Sequence, residues 1–210
     1  MIAPPARCIL LIRHGETAGN ASRIVQRPDV PLSPRGEAQA EALARRLASD
    51  GGVARILSSD LARAVATAER LRIATGAPIE FDALLQERNF GDVRGTPYDQ
   101  LDFDLFEPGY APPNGETWEV FHARVDQAWD RIRALSAATP GTLAVVTHGL
   151  VCRSIAARHV ALGDGMRVPE KWDNTSVTIV DARAPWRVSL LNCIAHLDGT
   201  GAMPTRGSAV

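Results

Sequence analysis

Two short apolar runs constrain this chain more than any other feature in it. Cys8-Ile-Leu-Leu-Ile12 and Leu143-Ala-Val-Val-Thr147 are continuous, rich in branched residues and free of charge. Such runs suit strands buried on both faces, as in a parallel sheet. Both lead into a histidine followed by glycine, first through Arg13-His14-Gly15 and then through Thr147-His148-Gly149, with a helical pattern beyond. Strand, polar tip and helix make the repeating unit of an α/β sheet. Open α/β sheets take ligands at the carboxyl ends of their strands. The two histidines are therefore candidates for one shared site, although they lie far apart in sequence.

Between the two runs the pattern alternates. Ser33-Pro34 supplies an N-cap and a proline for the first helical position. Ala38, Ala42, Leu43, Arg46 and Leu47 follow at helical spacing, and Gly51-Gly52 stops the helix. Residues 53–57 read as a strand. Ser58-Ser59-Asp60 is expected to cap a helix to about Thr75, which Gly76-Ala-Pro78 breaks. Residues 79–85 read as an edge strand leading to Gln86-Glu87-Arg88. The stretch 95–115 is rich in Pro, Gly and aromatics and is expected to form an irregular loop or lid. Residues 116–138 have the pattern of a long amphipathic helix, and residues 176–180 and 188–191 read as the final strands. Residues 1–198 are expected to make one domain, followed by a disordered tail over 199–210.

Composition removes several classes of function. In 210 residues, 23 Lys+Arg stand against 24 Asp+Glu, for a net charge of −1. That balance gives no broad positive field for nucleic acid or an anionic membrane. Three scattered cysteines, Cys8, Cys152 and Cys193, offer neither a disulfide framework nor a zinc motif. The run from Cys8 to Ile12 is too short for a signal sequence or a membrane span. The chain reads as soluble and cytoplasmic. All the cations but Lys171 are arginine. Guanidinium binds phosphate and carboxylate bidentately, yet with Ala, Gly and Pro also abundant the excess reads mainly as coding bias.

The residues at the strand tips suggest a chemistry. Arg13, His14 and His148 sit at two strand ends, with Thr17 and Asn20 close behind His14. Arg63 lies one turn into a helix that follows another strand, and Glu87 follows a third. Converging arginines and histidines make a pocket for a phosphate dianion. A neutral imidazole there is a nucleophile. A nearby carboxyl group with a raised pKa can protonate a departing alkoxide.

These residues carry a resemblance. Arg13-His-Gly-Glu-Thr17 with Asn20 resembles the RHGxTxxN signature of the histidine phosphatase superfamily, the phosphoglycerate-mutase-like family. The likeness continues through Asp29–Gln39, Ser58–Ala68, Leu85–Gly91, Asn114–Thr117 with Phe121 and Arg124, and Val145–Gly149 with Arg153. It covers residues 7 to 197 in a consistent order. The resemblance implies a three-layer α/β/α sandwich with a mostly parallel sheet. It implies His14 as the phosphorylated nucleophile and Glu87 as general acid and base. Arg13, Arg63 and His148 would hold the phosphoryl oxygens, with Asn20, Gln26 and Gly149 at the pocket wall. No metal or cofactor is implied, since arginines supply the positive charge. The partner would be a small phosphorylated metabolite. The chain departs from the family pattern at Asp60, at Ala66 and at Arg27, where glycine is usual. Arg27 could receive a second anionic group of the substrate. The phosphatase branch fits best. A phosphoglycerate mutase using the same phosphohistidine is the first alternative, and a non-catalytic phospho-ligand binding protein the second.

Overall fold

The first apolar run becomes β1 (Cys8–Arg13), buried along its whole length. Its side chains alternate between two cores, as the pleat of a strand requires. Ile9 and Leu11 join one cluster. Cys8, Leu10 and Ile12 join the other. A computed structural model describes residues 7–202. After β1 come a short helix α1 (Ala18–Ala21), then α2 (Pro34–Ser49), β2 (Arg55–Ser58), α3 (Ala62–Thr75) and β3 (Ile79–Phe81). The chain continues through α4 (Trp118–Ala138), β4 (Leu143–Thr147), α5 (Gly149–Arg158), β5 (Val177–Asp181) and β6 (Val188–Cys193).

The six strands form one sheet in the order β3-β2-β4-β1-β5-β6. From β3 to β1 every neighbouring pair is parallel. β5 and β6 close the far edge antiparallel. Helices α2 and α3 cover one face through Leu43, Leu47, Ala64, Ala68 and Leu71. Helices α4 and α5 cover the other through Phe121, Val125, Ile132, Val151 and Ile155. The three-layer α/β/α sandwich with a mostly parallel sheet is what the structure shows.

Local chemistry sets most element ends. The Ser33 hydroxyl accepts from the Gly36 amide at 3.0 Å, and Pro34 opens α2. Gly51 and Gly52 follow α2 with φ of +106° and +79°, a region costly for other residues. Strands β2, β5 and β6 begin or end one or two residues from the sequence reading, and three further boundaries differ for local reasons. Helix α3 is entered through Leu61 without a side-chain cap; the Ser59 hydroxyl lies two residues earlier, where it accepts from the Leu61 amide at 3.3 Å and also meets His148 Nε2. The edge strand ends at Phe81. Asp82 accepts from the Leu84 amide and winds residues 83–85 into a 3₁₀ turn. Helix α4 starts at Trp118, since the Thr117 hydroxyl caps the Val120 amide.

The stretch 95–115 holds a single 3₁₀ turn, Tyr98–Gln100, and no strand or α-helix. It is packed rather than extended into solvent. Leu105 is buried, Phe106 meets Phe90 edge-on and stacks with Tyr98, and Phe103 stacks on Tyr110. Of the expected tail, residues 199–201 are exposed and Ala202 packs with Ala42 of α2. Ala202 is buried, and its carbonyl accepts from the Gln39 amide. The rest of that tail lies outside the described residues. Among those residues no helix is long and apolar enough to cross a membrane.

Candidate active site

The register of β1 against β4 pairs Arg13 with Thr147, so the next residues, His14 and His148, emerge side by side. Their ring centroids lie 5.0 Å apart. Arg63 arrives from the first turn of α3, which follows the carboxyl end of β2, and its Nε donates to His14 Nε2 at 3.2 Å. An arginine can only donate, so Nε2 holds a lone pair. The proton then lies on Nδ1, which donates to the Gly15 carbonyl at 2.7 Å. Burial, reinforced by Arg63 and Arg13, holds the His14 imidazole well below its usual pKa of 6.5. The ring is neutral at neutral pH, with its Nε2 lone pair engaged by Arg63 and the residue lining the cleft.

The same causes keep His148 neutral. Burial comes first, then Arg63, His14 and Arg13. Its Nε2 shares a hydrogen bond with the Ser59 hydroxyl at 2.8 Å, and its Nδ1 is buried without a partner. Arg13 is fully buried and donates to the Trp172 carbonyl. Burial lowers its pKa, and the charge of Glu87 resists that shift. Arg63 is brought down to about 10, by burial first.

Glu87 lines the cleft with His14 and Arg63. Its Oε1 accepts from the Arg88 amide and its Oε2 from the Leu150 amide at the start of α5. Burial raises its pKa against the pull of those two amides and of Arg63 and Arg13. The segment carrying it is fastened from both sides. The Thr147 hydroxyl donates to the Leu85 carbonyl at 2.7 Å. The Arg124 guanidinium donates to the carbonyls of Leu84 and Gln86 and is itself clamped bidentately by Glu116.

The remaining expected residues lie around this centre. Asn20 is buried, and its Oδ1 accepts from the Thr17 amide and from Asn174 Nδ2. Gln26 lines the cleft, and its Oε1 accepts from the Thr17 hydroxyl at 2.7 Å. Gly149 is the first residue of α5, at the same end of the sheet. Arg27 contributes its carbonyl, which accepts from Arg63 Nη1 at 3.1 Å. Its side chain is exposed and lies against Gly95, outside the residues lining the cleft.

Some contributors carry no motif. Asn174 Nδ2 donates to the His14 carbonyl at 3.0 Å, and the Thr175 amide donates to the carbonyls of both Arg13 and His14. Thr175 has φ of +56°, a strained setting for a β-branched residue. Its hydroxyl donates to the Asn174 carbonyl and accepts from His196 Nε2, whose Nδ1 in turn faces Arg46. Thr67 accepts from the Gly15 amide and donates to the Arg63 carbonyl, joining α3 to the tip of β1. These residues are visible only once the strands are assembled. Among the described residues no group of three or more His, Cys, Asp or Glu gathers as a metal-ligand set.

A sequence profile of the histidine phosphatase superfamily (branch 1) matches residues 9–193. The chain belongs to the histidine phosphatase superfamily. It is 31% identical over 207 residues to phosphoglycerate mutase-like protein 4 of Arabidopsis thaliana, covering 92% of this chain and 88% of that one. Among solved structures, YhfR of Bacillus stearothermophilus superposes with a TM-score of 0.78 at 31% identity, covering 92% of this chain and all of that one. The mycobacterial glucosyl-3-phosphoglycerate phosphatase gives 0.72 at 27% identity, covering 90% and 100%. This member of the superfamily thus has relatives named for phosphatase and for mutase-like chemistry.

Proposed function

We propose that this histidine phosphatase hydrolyses a small phosphate monoester through a phosphohistidine on His14, without a metal. The observation that carries the proposal is the pair of hydrogen bonds that fixes the His14 tautomer. Nδ1–H is tied to Gly15, and Nε2 keeps a lone pair that accepts from Arg63 Nε until a phosphoryl group draws that guanidinium onto its oxygens. When a phosphate ester enters, Nε2 forms a bond to phosphorus as the bond to the ester oxygen breaks. Arg13, Arg63 and His148 surround the phosphoryl oxygens and the charge spread over them. Glu87 arrives protonated, as its raised pKa favours, and gives its proton to the leaving oxygen. The Glu87 carboxylate then takes a proton from water, whose oxygen attacks the phosphohistidine. The P–N bond breaks, and phosphate and neutral His14 are restored. Asn20, Gln26 and Gly149 shape the wall of the pocket. Residues 1–198 act as one cytoplasmic catalytic domain, with 95–115 as the loop over the cleft.

The test uses p-nitrophenyl phosphate and 3-phosphoglycerate. Wild-type protein is expected to release inorganic phosphate, and acid-free quenching should trap a protein heavier by one phosphoryl group. His14→Ala should lose the label and at least a thousandfold in kcat. Activity within tenfold of wild type would refute His14 as nucleophile. Conversion of 3-phosphoglycerate to its isomer without phosphate release would favour the mutase alternative suggested by the Arabidopsis relative's name.

A further inference from the structure

The guanidinium groups around the cleft are committed to protein acceptors, with one exception. Arg13 donates to the Trp172 carbonyl, and Arg63 to His14 and the Arg27 carbonyl. Arg88 donates to the carbonyls of Leu105, Tyr110 and Glu116 and lies 3.9 Å over the Trp118 ring. Arg94 lines the same cleft as His14 and Glu87. Among the described residues it makes no hydrogen bond through its side chain and no ion pair. Its acidic neighbour, Glu116, is already held bidentately by Arg124. Partial burial pulls the Arg94 pKa down, so the group is desolvated without a bound counter-charge. A half-buried guanidinium with unused donors is a ready partner for a phosphate or carboxylate.

The backbone beneath Arg94 is firmly placed. Its amide closes a 3₁₀ turn on the Gly91 carbonyl, and the next amide, Gly95, donates to the Val25 carbonyl at 2.7 Å. A Cβ at Gly91 would fall 1.9 Å from the Pro113 carbonyl oxygen, so the turn itself depends on glycine. Four residues on, Tyr98 lines the cleft as well, its amide tied to the Arg23 carbonyl. Its hydroxyl has no hydrogen-bond partner among the described residues. Burial, helped by the charge of Glu87, pushes its ionisation up to about 12, so it stays a donor. Arg94 also lies near enough to Arg63 to lower its pKa. One molecule can therefore bridge them, with its phosphoryl group at His14 and Arg63 and a second anion at Arg94.

We propose that Arg94 and Tyr98 form a subsite for a second anionic group on the leaving-group side of the substrate, a carboxylate or another phosphate. The assignment rests on the phosphatase reading and adds the substrate class to it. Arg27, with its side chain outside the cleft, does not serve this purpose.

The experiment compares kcat/KM for glycerol 3-phosphate, 3-phosphoglycerate and 2,3-bisphosphoglycerate, with p-nitrophenyl phosphate as the general assay. In wild type the anion-bearing esters are expected to be preferred. Arg94→Ala should lower the ratio of 3-phosphoglycerate to glycerol 3-phosphate at least tenfold. Arg94→Lys should restore part of that ratio, and Tyr98→Phe should lower it severalfold. A larger loss for 2,3-bisphosphoglycerate, which carries both groups, than for 3-phosphoglycerate would identify phosphate as the second group, and equal losses on the two would identify carboxylate. A ratio unchanged in Arg94→Ala for both anionic esters would overturn the subsite. Should wild type turn over none of the four, the phosphatase reading fails. The subsite is then judged by calorimetric binding of the same esters, with the same tenfold criterion.

Discussion

At the scale of single residues, the site depends on keeping groups in the protonation states that water would not favour. His14 and His148 are neutral because they are buried beside guanidiniums. Glu87 is inclined to hold its proton because burial outweighs four stabilising partners. The acid role proposed for it can be separated from the nucleophilic role proposed for His14 by changing the leaving group. Glu87→Gln is expected to slow an alkyl phosphate by about a hundredfold or more, in the range typical of lost general acid catalysis. A nitrophenyl ester, which leaves without much help, should lose far less. Equal losses measured on the two esters would count against the acid role. The motif residues His14, Arg13, Arg63, His148 and Glu87 were all legible in sequence, since each follows a strand end and carries obvious chemistry. Arg94 and Tyr98 were not. Their significance comes from what fails to reach them in three dimensions, and no spacing rule encodes that. Ser59 misled for a related reason. It has the right residue type for a helix cap, but the helix begins later, after Leu61, and its hydroxyl serves the Leu61 amide and His148 instead.

At the scale of elements, long strongly patterned pieces were read well and short ones poorly. β1, β4, α2 and α3 follow from apolar runs, caps and glycine stops. The edge strand β3 is three residues long, where the pattern suggested seven, because the Asp82 turn competes locally with the ladder. The link between an element and the site is clearest at the start of α2. A Cβ on Gly36 would lie 1.9 Å from the Glu16 carbonyl oxygen, two residues beyond His14. Backbone faces backbone there, so neither side can rotate away. Gly36→Ala is expected to cost about 2–3 kcal/mol, as for severe overpacking, and to lower kcat as the tip of β1 shifts. Urea midpoints and initial rates check it. Gly51→Ala is the control. Nothing lies within 4 Å of its added methyl and only its φ of +106° resists, so it should cost about 1 kcal/mol and leave kcat alone. A Gly36→Ala protein with wild-type stability and rate would show that the contact relaxes freely.

At the scale of the whole molecule, the buried histidines make stability depend on acid. His196 is pushed down to about 4, by burial first and then by Arg46. His14 and His148 lie well below 6.5. The unfolded chain binds these protons near pH 6.5 and the folded chain does not. Their contribution is therefore complete above 6.5 and is lost as pH falls from there toward each folded value. For His196 the loss by pH 4 has a ceiling of about 3 kcal/mol. In urea titrations His196→Gln should show a shallower fall in stability between pH 6.5 and 4 than wild type. An identical slope would place the acid sensitivity elsewhere. The long-range architecture has a consequence in time as well. Arg13 closes on the Trp172 carbonyl 159 residues further along the chain, and β1 lies between β4 and β5. During synthesis at 5–20 residues per second, roughly ten to thirty seconds separate the emergence of His14 from that of the last of its surroundings. For that interval the nascent chain carries His14 without the walls that keep it neutral and aimed, so catalytic competence is among the last properties the polypeptide acquires.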